Sequence, residues 1–168
     1  LSTRIAVISD THVGQRISAY PLDFLSRLRD FDVVIHAGDH SNLDALEELE
    51  SLEKYYAVRG NMDEITVSSR LENQIVFQIE GINIGLIHGW GQPIGLPGKI
   101  RKKFDKYNPI PDIIIFGHTH EPFDQDISGI RMLNPGAFSG NLFSRSGSYA
   151  ILTIDDKDVD WELVNVPS

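Results

Sequence analysis

The chain has 168 residues and a net charge of −9, from 15 Lys plus Arg against 24 Asp plus Glu. That length is enough for a hydrophobic core within one domain, residues 1–168, and so acidic a balance gives no overall field for holding nucleic acid or an anionic membrane surface. The absence of cysteine excludes a disulfide framework, a thiolate metal site and a Cys nucleophile.

In chain order, Ile5–Ser9 reads as a strand rather than a signal peptide, because its apolar run is short and ends on Asp10. Val33–His36 and Tyr55–Val58 are further β-branched or aromatic runs of strand length. Between them, Leu22, Phe24, Leu25 and Leu28 recur at helical spacing, and Leu43, Leu46, Leu49 and Leu52 form a stripe beside the solvated Glu47, Glu48, Glu50 and Glu53. This alternation predicts parallel βαβ units. Gln74–Glu80, Gly81 and Ile82–Ile87 read as a hairpin. Pro97–Tyr107 is a predicted helix, its lysines and arginine on a solvated face, stopped by Asn108-Pro109. Ile113–Phe116, Gly129–Leu133, Ser148–Ile154 and Val159–Val164 complete the strands. The predicted architecture is α/β, two packed sheets with helices outside. No run of about 18 apolar residues offers a membrane span, and a cytoplasmic globular domain is expected.

The informative residues follow the strands. Asp10-Thr11-His12 comes after the first, then Gly38-Asp39, Gly60-Asn61, His88-Gly89 and Gly117-His118-Thr119-His120. Sites in open α/β sheets form outside the carboxyl ends of strands, so five such loops converge on one crevice. Two carboxylates, four imidazoles and one amide make a mixed O/N set suited to Mn, Fe, Co, Ni or Zn rather than to Ca or Mg. Seven ligands exceed one tetrahedral zinc and suit two ions about 3.5–4 Å apart. Two dications, balanced by two aspartates and a bridging hydroxide, leave a single positive charge that attracts one phosphoester anion. Taken singly, Asp10 reads as an N-cap, Asp39 as a turn former and Asn61 as a residue at ease in left-handed backbone. Four of six histidines at these loop positions make coincidence a poor account.

Asp10-x-His12, Gly38-Asp39, Gly60-Asn61, His88-Gly89 and Gly117-His118-x-His120 resemble the calcineurin-like metallophosphoesterase superfamily, and Leu133-Asn134-Pro135-Gly136-Ala137 is similar to its small prokaryotic members, the YfcE-like and MJ0936-like phosphodiesterases. The resemblance implies a four-layer α/β/β/α sandwich and a dinuclear centre with Mn or Ni favoured. It places Asp10, His12, Asp39 and His120 on one ion, and bridges through Asp39 to a second held by Asn61, His88 and His118. It implies a metal-dependent phosphodiesterase, ahead of a phosphomonoesterase, in which a metal-bound hydroxide attacks phosphorus in line, with Asp39, Asn61 and His88 catalytic.

Where many members read Gly-Asn-His, this chain reads Gly60-Asn61-Met62-Asp63, so the histidine that protonates the leaving group is missing, as in the short phosphodiesterases. Arg59, Asp63 and His40 are the neighbours at hand to compensate, with His40 expected on the rim. Trp90 stands where several relatives carry a second histidine and is expected either in packing or as pocket wall beside Arg59 and His40. His36 is expected as a satisfied core residue. The expected partner is a small phosphoester, without membrane or stable nucleic-acid binding; homodimer and homotetramer both remain open. The rivals are a metal-binding protein scaffold, such as the retromer subunit of this fold, and a nuclease.

Overall fold

In the computed structural model, which describes residues 2–141 and 146–166, the first half alternates strand and helix. β1 (Ser2–Ile8), α1 (Leu22–Leu28), β2 (Val33–His36), α2 (Leu43–Glu50), β3 (Tyr55–Ala57) and α3 (Ile65–Ser68) follow in order. Then come β4 (Gln74–Ile79), β5 (Ile82–Ile87), α4 (Leu96–Lys103), β6 (Ile113–Ile115), β7 (Pro122–Ile127), β8 (Ile130–Pro135), β9 (Ser148–Asp155) and β10 (Asp158–Asn165). They form two five-stranded sheets, ordered β10-β9-β1-β2-β3 and β4-β5-β6-β8-β7. β1, β2 and β3 run parallel, as do β5, β6 and β8.

Alternation along the strands sorts the layers. Ile5 and Val7 share a buried cluster with Ile84, Leu86, Ile113 and Ile115 of the other sheet. Ala6 and Ile8 point the opposite way, onto Phe24 and Leu28 of α1 and Ala45 and Leu49 of α2. On the far side, Ile87, Ile114 and Met132 meet Leu96, Ile100 and Phe104. Each central strand is covered on both faces, which is why it reads as a continuous apolar run. The outcome is the expected four-layer α/β/β/α sandwich. Among the described residues, no helix is long and apolar enough to cross a membrane.

Three elements differ from expectation. α4 ends at Lys103, not Tyr107, because Phe104 leaves the helix at φ −97°, ψ 0° and is fully buried. Gly85 makes room for it: a Cβ there would lie 2.6 Å from the Phe104 ring. β7 was not anticipated; it is an edge strand paired only with β8, and mostly exposed, so its sequence Pro-Phe-Asp-Gln-Asp-Ile lacks an apolar run. α3 is a four-residue turn, too short to show a period.

Candidate metal centre

The two parallel triplets aim their carboxyl ends at one crevice. Asp10 and His12 follow β1, Asp39 follows β2 and Asn61 follows β3; His88 follows β5, and His118 and His120 follow β6. Backbone bonds fasten neighbouring loops, with Asp10 N–H donating to the Gly38 carbonyl at 3.0 Å, His12 N–H to Asp39 at 3.1 Å and Gly117 N–H to His88 at 3.0 Å. Asp10, His12, Asp39, His118 and His120 all have positive φ, between 47° and 70°. Among the described residues, the other non-glycine positive φ values fall at Ser41, in the Asp39 loop, and at the hairpin turns Glu80, Ser128 and Asp156. Such backbone is unfavourable for residues with a Cβ, so its concentration in these loops marks a place where the fold holds strain for a purpose.

Each aspartate commits one oxygen to the fold and turns the other inward. Asp10 Oδ2 accepts from the Ser9 hydroxyl at 2.6 Å and from His118 N–H at 3.2 Å. Asp39 Oδ1 accepts from Met62 N–H at 2.8 Å. The free Asp10 Oδ1 is approached by the Nε2 atoms of His120 at 3.2 Å, His88 at 3.7 Å and His12 at 3.8 Å. The free Asp39 Oδ2 lies 3.2 Å from His88 Nε2 and 3.6 Å from His12 Nε2. Two overlapping triads result, Asp10–His12–His120 and Asp10–Asp39–His88, with Asp10 common to both. Asp10 Oδ1 and His12 Nε2 are buried without a hydrogen-bond partner. Buried polar atoms are nearly always paired, so these two fit a cation between them. Of the motif glycines, Gly38 and Gly89 adopt positive φ, 101° and 110°, whereas Gly60 and Gly117 supply space. A Cβ on Gly60 would overlap Asp39 Oδ1, and one on Gly117 would overlap the Ser9 hydroxyl.

Outer contacts orient the rings. The Ala37 carbonyl takes His88 Nδ1 at 2.7 Å and Gln15 Oε1 faces His12 Nδ1 at 3.4 Å, leaving on Nε2 of each a lone pair that could take a cation once the ring is neutral. His118 is reversed: its Nε2 meets the Gly91 carbonyl at 2.8 Å, so Nδ1 faces inward, 3.3 Å from Asn61 Oδ1. Asn61 Oδ1 also lies 3.1 Å from His88 Nε2. All seven motif residues thus join one connected set.

Burial alone would push the His88 imidazole down, but the Asp10 and Asp39 carboxylates outweigh it and push it up to about 9. Burial pushes Asp10 up, while the His88 charge, reinforced by His120 and the Ser9 hydroxyl, outweighs it and holds the carboxyl at about 2. Burial prevails at His12 and lowers it. A protonated His88 is therefore the counter-ion of the two aspartates when no cation is bound. Ligation requires the neutral ring, so metal uptake between pH 7 and 8 is expected to release a proton from His88, and affinity to weaken as pH falls. Calorimetric Mn titrations in two buffers of different ionisation enthalpy check this; identical heats would refute it.

The remaining expected site residues separate. Trp90 is partly exposed on the loop after His88, with Lys103 Nζ 5.3 Å from its ring centroid. Arg59 donates to the Ser68 carbonyl at 3.5 Å, towards α3. His40 corrects the expectation of a rim residue: it is fully buried, stacked on His36 with ring centroids 3.6 Å apart, and its Nε2 lies 2.5 Å from the Tyr55 hydroxyl. The positive φ at Asp39 and Ser41 turns the intervening side chain beneath the loop. His36 is a satisfied core residue, taking Gly38 N–H on Nδ1 at 3.0 Å and facing Thr11 Oγ1 through Nε2 at 3.0 Å. Burial lowers it well below 6.5, matching a neutral ring with the proton on Nε2.

Asp63 has a different task from the one expected. Its buried carboxylate accepts from Gly60 N–H at 2.7 Å, Asp39 N–H at 3.2 Å and Ser41 N–H at 2.7 Å, stapling the Asp39 and Asn61 loops together. Asn134 clamps the His118–His120 loop, donating to the Gly117 carbonyl and Thr119 Oγ1, each at 3.1 Å. Ser9 and Gln15 had no sequence signal beyond standing near Asp10 and His12.

Residues 3–157 match the model of the calcineurin-like phosphoesterase superfamily domain. A probable metallophosphoesterase of Methanothermobacter thermautotrophicus is 37% identical over 164 residues, covering 95% of this chain and 91% of that one. A phosphodiesterase of Methanocaldococcus jannaschii is 26% identical, covering 83% and 86%. Among solved structures, a Thermotoga maritima protein superposes with TM-score 0.77 at 38% identity, covering 98% and 99%. Vps29 of Entamoeba histolytica, complexed with Zn²⁺, superposes with TM-score 0.70 at 27% identity, covering 97% and 99%. With its motifs on one crevice and its length matched throughout, the chain belongs to the calcineurin-like phosphoesterase superfamily.

Proposed function

We propose that this phosphoesterase-family chain is a phosphodiesterase working with two divalent ions, Mn or Ni being the effective ones in vitro. The observation that carries the reading is the convergence of three imidazole Nε2 atoms on the unpartnered, buried Asp10 Oδ1. Asp10, His12, Asp39 and His120 are assigned to one ion and Asn61, His88 and His118 to the other, with Asp39 between them. The Asp39 carboxylate faces both His12 and His88, as the Asp10 carboxylate also does.

When bound, the ions supply Lewis acidity and a nucleophile ionised near neutral pH. The chain's own residues set the rest. Two aspartates undercompensate two dications, so the crevice attracts a phosphodiester anion. Met62 contributes its backbone N–H to Asp39 while its thioether, exposed, has no proton to give. Departure of the ester oxygen is then unassisted, and esters with acidic leaving groups are favoured.

Hydrolysis of bis(p-nitrophenyl) phosphate beside the monoester, after chelation and with each ion restored, tests the reading. Diester cleavage returning with Mn or Ni, at two ions per chain, is the expected result. Two bound ions without cleavage would favour a scaffold, the reading that the likeness to Vps29 keeps in play. In addition, Met62→His is expected to speed hydrolysis of alkyl diesters by about 10²-fold, the lower range for general acid catalysis, and to leave the p-nitrophenyl diester nearly unchanged. Equal effects on both substrates would show that position 62 does not serve the leaving group.

A further inference from the structure

The loops that carry Asn61 and follow His88 have a chemical character that the metal residues do not account for. Among the described residues, seven large hydrophobic side chains are exposed, and three of them, Met62, Trp90 and Ile94, lie on the two loops that carry Asn61 and follow His88, with a fourth, Ile65, opening α3. Trp90 is the aromatic one of the seven. Its backbone is held against the centre: the Gly91 carbonyl meets His118 Nε2, and a Cβ on Gly89 would lie 3.2 Å from His118 Cβ. A cation sits on the ring. Lys103 Nζ is 5.3 Å from the Trp90 centroid, on a helix end anchored by Gln74 Nε2 donating to the Lys103 carbonyl at 3.3 Å. Among the described residues no carboxylate pairs with Lys103, although the chain as a whole carries −9. An exposed indole with an uncompensated ammonium over its ring suits a ring joined to an anion.

We propose that Trp90 and Lys103 form a subsite beside the metal centre for a nucleotide-bearing phosphodiester, with the base on the indole and a second phosphate on the ammonium. This rests on the phosphodiesterase reading and narrows its substrate class. An exposed ammonium–phosphate contact contributes modestly, so the second phosphate improves KM by about fivefold and leaves kcat alone.

The test uses thymidine 5′-(p-nitrophenyl phosphate) with and without a 3′-phosphate. The 3′-phosphate is expected to lower KM about fivefold in the unaltered protein. Lys103→Ala removes that advantage, so that the two substrates then share one KM. Lys102→Ala, an exposed neighbour, retains the advantage. Binding provides a second readout in the metal-free protein carrying Trp161→Phe, where Trp90 is the sole indole: thymidine 3′,5′-bisphosphate quenches its fluorescence and binds more tightly than the 5′-monophosphate, and Lys103→Ala abolishes the difference. A 3′-phosphate that alters neither KM nor affinity, or equal losses in the Lys102 and Lys103 variants, would overturn the subsite. Failure to cleave bis(p-nitrophenyl) phosphate with any metal would overturn the phosphodiesterase reading instead, leaving the binding comparison to decide the subsite.

Discussion

Asp39→Asn is expected to reduce bound metal from two ions to one or none and to lower diester hydrolysis by about 10³-fold, the scale set by losing electrostatic stabilisation of a transition state. Asp39 Oδ1 is held by Met62 N–H, so an asparagine keeping that bond turns its NH₂ group towards His12 and His88. An amide nitrogen does not ligate a cation there. The flipped amide is no better, since it sets two donors against each other at Met62. The substitution also halves the negative charge facing the ions. The metal-free fold tolerates the change, because His88 still faces the Asp10 carboxylate as its counter-charge. Metal content, diester turnover and thermal unfolding after chelation separate these effects. Two retained ions with full activity would refute the bridging role of Asp39; collapse of the metal-free fold would make the lost activity uninformative about metal.

Which parts were legible in the sequence follows from how local each signal is. β1 and β2 are apolar runs covered on both faces, and each ends next to a polar residue that the parallel topology carries to the same crevice, so strands and loop positions could be read together. Which oxygen or nitrogen faces inward could not. Asp10 being common to both triads depends on Ser9 and the His118 amide occupying its other oxygen, 108 residues apart in the second case. His40 follows Asp39 in a polar loop and reads as rim; two left-handed residues around it bury it against His36 instead. β7 was hidden because an edge strand needs few apolar side chains, and the Trp90–Lys103 contact because it joins a loop to the far end of α4. Asp63 was visible as an acid near Asn61, but its work is on backbone donors, which leave no trace in side-chain pattern.

Removing that carboxylate tests how the two halves of the centre are coupled. Asp63→Ala leaves the amides of Asp39, Ser41 and Gly60 without their acceptor, for an expected loss of about 3 kcal/mol of stability once water recovers part of the deficit. Asn restores one acceptor oxygen and should fall between. The loss depends on pH. Burial pushes the Asp63 carboxyl up, but His40 and the backbone amides outweigh it and hold it below the ordinary 3.8. A carboxyl lowered on folding stabilises above its unfolded value and stops doing so as pH falls through its folded one, so the gap between the two proteins should be full at pH 7 and narrow in acid. Urea unfolding at several pH values measures it. The staple also joins the loop of Asp39 to the loop of Asn61, so if it positions ligands as well as supporting the fold, saturating Mn should raise the melting temperature of Asp63→Ala by less than that of the unaltered protein. An equal rise would mean that the ligands find their places without it, and that Asp63 serves stability alone. A smaller rise would make a residue that never touches the ions a determinant of how tightly both halves of the centre hold them, because the backbone it holds is where Asp39 and Asn61 begin.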